Sequence, residues 1–172
     1  DVCSPILRGV DGRDITLAGA AGERGTLVVF TCNHCPWARA WEARLTEIGN
    51  TYRGRGIGVV AMNPNDPAEH ADDGYEEMQR RARTLGMQLP YVVDATSGVA
   101  RSFGATRTPE VFLFDRARRL VYRGAIDDNA HEPDAVQHRY LRDALDALIG
   151  GRAIGTATTR SIGCTIKWRR GG

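Results

Sequence analysis

Lysine is all but missing from this sequence: of 23 basic residues only Lys167 is one, a matter of genome composition rather than mechanism. Long apolar runs are missing too. None approaches the roughly 20 residues that cross a bilayer, so no membrane partner is expected. Neither sign of charge dominates, since 23 basic and 21 acidic residues leave a net charge of +2. The basic residues are scattered apart from the closing Lys167-Trp168-Arg169-Arg170, which reads as a solvated tail; a nucleic-acid binder would carry a stripe. Four cysteines in 172 residues are too sparse for a disulfide-stapled scaffold. There is no second Cys-x-x-Cys to complete a zinc site, no internal repeat, and no linker long enough to divide the chain. The start, Asp1-Val2-Cys3, carries no basic and apolar leader. That favours a cytoplasmic setting, while the missing initiator Met leaves a removed signal open.

What remains is ordinary globular material, 42% hydrophobic and 26% charged, long enough for a two- or three-layer core. The pattern predicts one domain over residues 1–172, with 160–172 as a tail. Residues 5–16 read as a β-hairpin turning at Asp11-Gly12. Thr26–Thr31 and Ile57–Met62 are apolar, β-branched runs too short for helices and read as buried strands. From Pro36, Trp37, Trp41, Leu45, Ile48 and Tyr52 recur at helical spacing until Gly54. A helix is expected near Tyr75–Leu85, a strand at Tyr91–Asp94, a helical turn or two at Gly98–Phe103, and a hairpin from Glu110–Asp115 to Leu120–Gly124. The last helix is expected over Asp134–Leu148. Strands alternating with helices and closing on a hairpin predict an α/β fold, a mixed sheet with helices on both faces.

The most informative segment is Val28-Val29-Phe30-Thr31-Cys32-Asn33-His34-Cys35-Pro36-Trp37. A buried strand delivers two cysteines, two residues apart, onto the start of an amphipathic helix. Free N–H groups and the helix dipole there favour a thiolate, the reactive form of cysteine. A second thiol within one turn can resolve the mixed disulfide that the first forms. A structural zinc half-site or a stray pair of buried cysteines is the plainer alternative. Cys32 is expected to be the partly exposed nucleophile, with the first-turn N–H groups directed at its sulfur, and Cys35 the more buried resolving thiol. Pro36 fits the first turn because its missing N–H has little to pair with there. His34, as an imidazolium between them, would stabilise the thiolate; an exposed ring without influence is the alternative. Asn33 lies in the same loop. His70, His131 and His138 sit at no telling spacing and receive no role. Asn63-Pro64-Asn65-Asp66-Pro67 follows a strand end where ligands of open α/β sheets sit, although turn chemistry explains its composition.

With Cys32-x-x-Cys35 at a strand-to-helix junction and Thr108-Pro109 opening a later strand, the chain resembles the thioredoxin superfamily. The resemblance implies a three-layer thioredoxin-like fold. It also implies that Pro109 follows a cis bond, lies against the dithiol, and helps form a groove whose free backbone groups pair with a substrate strand. A trans proline at a strand start is the alternative. A narrower set of motifs spans nearly the whole chain: Cys32-Asn33-His34-Cys35-Pro36, Asn63-Pro64-Asn65-Asp66, Thr108-Pro109 with Phe112-Leu113-Phe114-Asp115, Tyr122-Arg123-Gly124 with Asp127-Asp128, and Ser161-Ile162-Gly163-Cys164 with Ile166-Lys167-Trp168. These are similar to a bacterial branch of redoxin, or alkyl-hydroperoxide-reductase/thiol-specific-antioxidant-like, proteins. Three departures stand out. The buried acid that thioredoxin places before the Phe of its central strand is here Val29, so another base must serve. The Trp-Cys-Gly-Pro-Cys core becomes Thr31-Cys32-Asn33-His34-Cys35. Thr106-Arg107 stands where relatives are expected to carry Ala-Cys, which sets a cation near the dithiol.

The resulting expectation is a thiol-disulfide oxidoreductase. It would act on protein or small-molecule disulfides and be recharged by a thioredoxin-reductase-type or glutathione system, with no cofactor and no nucleic-acid partner. A thiol peroxidase is the second reading, laying Phe30–Pro36 over the peroxiredoxin Phe-Thr-Phe-Val-Cys-Pro pattern. Cys35 would then be the peroxidatic thiol, Cys32 would replace the activating Thr, and Arg107 would supply a guanidinium. A zinc or copper module built on Cys32, His34 and Cys35 is the third; adjacent ligands converge poorly on one ion. Cys164 is either packing in a tail that buries Ile162 and Ile166, or a third thiol brought to the pair by freedom at Gly163. Cys3 receives no role.

Overall fold

The apolar runs near residues 26–31 and 57–62 lie side by side at the centre of the structure, a computed structural model that describes residues 5–170. They form β3 (Gly25–Phe30) and β4 (Ile57–Asn63), parallel from Gly25↔Ile57 to Phe30↔Met62. Both are buried on both faces. Leu27, Val29, Val59 and Ala61 enter one core, whereas Val28, Phe30, Val60 and Met62 enter another. Two cores explain why these strands read as continuous apolar runs rather than alternating ones.

The sheet grows outward from this pair. β5 (Tyr91–Val93) runs parallel to β4, and β7 (Glu110–Asp115) runs antiparallel to β3 and turns back into β8 (Leu120–Gly124). At the other edge β1 (Leu7–Gly9) pairs antiparallel with β5 and with β2 (Asp14–Ile15). The hairpin turn at Asp11-Gly12 is made possible by Gly12 at φ +81°. The order is β2-β1-β5-β4-β3-β7-β8.

One face is covered by α2 (Pro36–Arg53), α3 (Tyr75–Leu85) and α5 (Tyr140–Ile149). They contribute Trp41, Leu45, Ile48 and Tyr52, then Met78 and Ala82, then Leu141, Ala144 and Leu145. The opposite face is covered by α4 (Gly98–Phe103) through Val99 and Ala100, with α1 (Leu17–Ala20) packed beside it. This is the expected α/β architecture, a mixed sheet between helical layers. No helix among the described residues is long and apolar enough to cross a membrane.

Two expectations are corrected. The last helix starts at Tyr140, not Asp134. Residues 133–135 form a 3₁₀ turn, and the following segment is tied to a neighbouring loop: Gln137 N donates to Asp128 Oδ1 (3.0 Å) and Asp128 N to the His138 carbonyl (3.2 Å). Those bonds hold the backbone out of the helical ladder. In the tail, Ile166 is buried as expected, but Ile162 is 41% exposed. Beyond Ile162 the tail is held to the body, first by β9 (Cys164–Thr165), which pairs antiparallel with β6 (Arg107–Thr108), and then by backbone bonds at Ile166, Lys167 and Arg169. Cys3 lies outside the described residues.

Candidate active site

Four segments remote in sequence converge where β3 ends. Thr31 N extends the ladder to the Met62 carbonyl (2.9 Å), and the chain then turns through Cys32-Asn33-His34 into α2. Cys35 is the N-cap of α2 and Pro36 its first residue, so the missing proline N–H costs no helical bond. The Thr108–Pro109 peptide bond is cis. It sets Thr108, which is fully buried, against both sulfurs: Thr108 Oγ1 lies 3.2 Å from Cys32 Sγ, and the Thr108 carbonyl 3.4 Å from Cys35 Sγ. The carbonyl accepts the Cys35 S–H when that thiol is protonated.

Both cysteines are free thiols, Cys32 4% exposed and Cys35 wholly enclosed. The expected division of labour is therefore altered. Cys32 is not partly exposed, and the helix N-terminus serves Cys35 instead, because the cap falls three residues later than a Cys32 cap requires. The two thiols interact and titrate as a pair. The Cys32 thiol donates to Cys35 and holds it down to about 4 against the opposing effect of burial; the Cys164 thiol and the amides of Ala38 and Cys164 add to the lowering. Cys32 is pushed far up from its ordinary value by that donated proton, by burial and by the nearby Asp73 carboxylate, with Thr108 opposing. The opposed shifts favour a proton shared within the pair and held more tightly at Cys32 than at Cys35.

The sequence reading missed Asp73. It comes from the 3₁₀ turn Ala71–Asp73 and is buried to 1%. Its carboxylate accepts from Asn33 N (2.7 Å), Asn63 Nδ2 (3.1 Å), Asn65 Nδ2 (3.1 Å) and His34 Nδ1. An anion accepting four such bonds tolerates burial. With Val29 in the apolar core, Asp73 is the buried acid that faces Cys32, supplied from a different element. The Asn63–Asp66 loop, whose composition turn chemistry alone explains in sequence, borders the site through two fully buried amides.

His34 is thereby committed to Asp73 rather than set as a free cation between the sulfurs, and its ring stacks on His70 at 3.7 Å, a contact no spacing announced. Asn33 is buried, donating to the Asp72 carbonyl (2.8 Å) and accepting from the Tyr91 hydroxyl (2.8 Å). Arg107 Nη1 donates to the Gly163 carbonyl (2.9 Å), which ties the expected cation to the tail. The Cys32–His34–Cys35 chelate of the metal alternative does not assemble among the described residues. The donors within 4.8 Å of one another are Cys32, His34 and Asp73, and both Asp73 oxygens are already engaged. His131 lies 5.0 Å from Trp37, and His138 stacks on Tyr140.

The groove is also not free. Residues Arg107 and Thr108, whose backbone the thioredoxin resemblance leaves open for a substrate strand, pair with Thr165 and Cys164 of β9. Gly163 does not act as a loose joint either. A Cβ on it would sit 2.2 Å from the Thr108 carbonyl oxygen, so glycine is needed for close approach.

A mixed sheet between helical layers, with a buried dithiol at a strand-to-helix junction against a cis-proline, defines a thioredoxin-like protein. A thioredoxin-like protein from Aeropyrum pernix shares this fold, with TM-score 0.59 and 19% identity over 86% of this chain and 89% of that one. More specifically, the chain belongs to the AhpC/TSA family, whose sequence profile matches residues 4–123. A hypothetical protein from Sinorhizobium meliloti 1021 superposes with TM-score 0.90 and 36% identity, over 98% of this chain and 93% of that one. Thiol-disulfide oxidoreductase ResA of Halalkalibacterium halodurans is 22% identical over 116 residues, which is 67% of this chain and 61% of ResA.

Proposed function

We propose that the protein is a thiol-disulfide oxidoreductase whose redox centre is Cys32 and Cys35. The observation that carries the reading is geometric: two free thiols at the mouth of α2 both lie against Thr108, the residue before the cis Pro109, with Thr108 Oγ1 3.2 Å from Cys32 Sγ and the Thr108 carbonyl 3.4 Å from Cys35 Sγ. The likeness to ResA adds support for disulfide chemistry. Within the pair, access assigns Cys32 the first attack, because Cys35 has no exposed surface. As the Cys32 sulfur attacks a substrate disulfide, its proton passes to the Cys35 thiolate and the first substrate thiolate leaves. Cys35 then gives up that proton and attacks the Cys32 sulfur, expelling the second substrate thiolate. The products are a Cys32–Cys35 disulfide and two reduced substrate sulfurs sharing one proton, so charge and electrons balance. A thioredoxin-reductase-type or glutathione donor restores the dithiol, in keeping with a cytoplasmic setting.

Trapping tests this reading. Cys35→Ser is expected to accumulate a mixed disulfide with a model substrate such as insulin or oxidised glutathione through Cys32, visible by mass, and Cys32→Ser is expected to accumulate none. A peroxidase reading draws on the charge held at Cys35. It is disfavoured by that sulfur's enclosure, by Cys32 in place of the activating threonine, and by Arg107 being engaged with Gly163. Peroxide consumption that survives Cys32→Ser but not Cys35→Ser would establish it instead.

A further inference from the structure

Cys35 has thiol neighbours on two elements. One is Cys32, on its own loop; the other is Cys164, which packs against the cluster formed by Cys32, Cys35 and Ala38 and whose thiol and amide help to lower Cys35. Cys164 is held there by design of the tail rather than by chance contact. It is the register partner of Thr108, the residue that touches both other sulfurs. Gly163 lets the strand approach the Thr108 carbonyl, and Arg107 holds the Gly163 carbonyl. Beyond β9, Ile166 N donates to the Thr106 carbonyl (3.1 Å) and Lys167 N to Asn65 Oδ1 (2.9 Å). Cys164 is also half-buried where Cys32 and Cys35 are buried, so it is the most open of the three.

We propose that Cys164 is the third member of a disulfide relay, receiving the disulfide from Cys32–Cys35 and presenting it at the surface as Cys35–Cys164. The inference rests on the oxidoreductase reading above. The Cys164 thiolate attacks the Cys35 sulfur of the Cys32–Cys35 disulfide. The Cys35–Cys164 bond forms, the Cys32–Cys35 bond breaks, and Cys32 leaves as a thiolate that takes the proton Cys164 gave up. No net oxidation occurs. An external dithiol then attacks the more open Cys164 sulfur and returns all three thiols to the reduced state.

The electrostatics set the order of events. In the reduced protein Cys164 is raised to about 11, by burial first and then by its interaction with the charged Cys35. Oxidation of Cys32 and Cys35 removes the Cys35 charge, while the Lys167 ammonium, which favours the Cys164 thiolate, stays in place. Cys164 becomes the better nucleophile when there is a disulfide to receive.

Partial oxidation with oxidised glutathione, acid quenching, alkylation and peptide mapping test the relay. The wild type is expected to yield both Cys32–Cys35 and Cys35–Cys164, and Cys32→Ser only intramolecular Cys35–Cys164. Cys164→Ala is expected to lose the second species and keep the first. Cys32–Cys35 in the wild type without any Cys35–Cys164 in either the wild type or Cys32→Ser overturns the relay and leaves the dithiol reading standing. Cys35–Cys164 without any Cys32–Cys35 overturns both.

Discussion

Asp73 organises the polar side of the site around Cys32, and it was the least legible of the site residues. The Cys-x-x-Cys pair announces itself because both thiols lie within one turn of one segment. Asp73 sits 38 residues beyond Cys35 in a polar stretch, and its partners Asn63 and Asn65 look like turn residues until the sheet brings them beneath Cys32. The only sequence-level hint was negative: Val29 in place of the buried acid implied that a base must come from elsewhere. Asp73→Asn removes the negative charge that pushes Cys32 up. The Cys32 thiol then ionises at lower pH, and its alkylation by iodoacetamide near neutral pH is expected to speed up. The same change sets an amide N–H against the Asn65 donor, so denaturant unfolding is expected to report a loss of about 1–3 kcal/mol. Unchanged alkylation in a folded Asp73→Asn variant would remove Asp73 from the chemistry and leave it a packing role.

Among the elements, the strands of the central sheet and α2 to α4 were readable because each carries its own signal: apolar runs bounded by turns, or a 3.6-residue stripe closed by glycine. The two elements misjudged depend on partners. The segment before α5 has the composition of a helix start, but hydrogen bonds to the Asp128 loop compete for its backbone. The tail has a glycine beside a cysteine, which suggests motion when met as sequence and proves to be a tight strand contact in three dimensions. β9 pairs with β6 and packs Cys164 against the Cys35 cluster, so loosening it is expected to open Cys35. Gly163→Ala places a methyl 2.2 Å from a backbone oxygen that cannot turn aside. β9 is expected to lift from β6, with a stability loss of about 1–3 kcal/mol. Cys35 alkylation in the reduced protein is expected to rise at the same time. A stable Gly163→Ala protein whose Cys35 stays protected would show that the strand does not guard it.

For the whole molecule, the sheet divides the interior into two apolar cores and leaves the ends of β3 and β4 as a place where charge is buried. Such a site links folding to pH, because burial and hydrogen bonding shift the thiols away from their unfolded values. Cys35 is lowered from 9.0 to about 4 in the folded, reduced protein. Between those limits the unfolded chain binds a proton that the folded one does not, so this contribution to stability is lost as pH falls towards 4 and is complete above 9. Cys32 is shifted the other way, so its contribution is present below 9 and is lost as pH rises beyond it. The two effects together predict that the stability difference between reduced wild type and a Cys32→Ala/Cys35→Ala protein climbs from acid pH, peaks near 9 and declines above. The oxidised protein has no such thiols to titrate and should lack the peak. Denaturant melts of reduced, oxidised and doubly substituted protein across this range check it. A flat difference curve would mean that the thiols ionise as they do in the unfolded chain, and the shared proton on which the proposed chemistry rests would be gone.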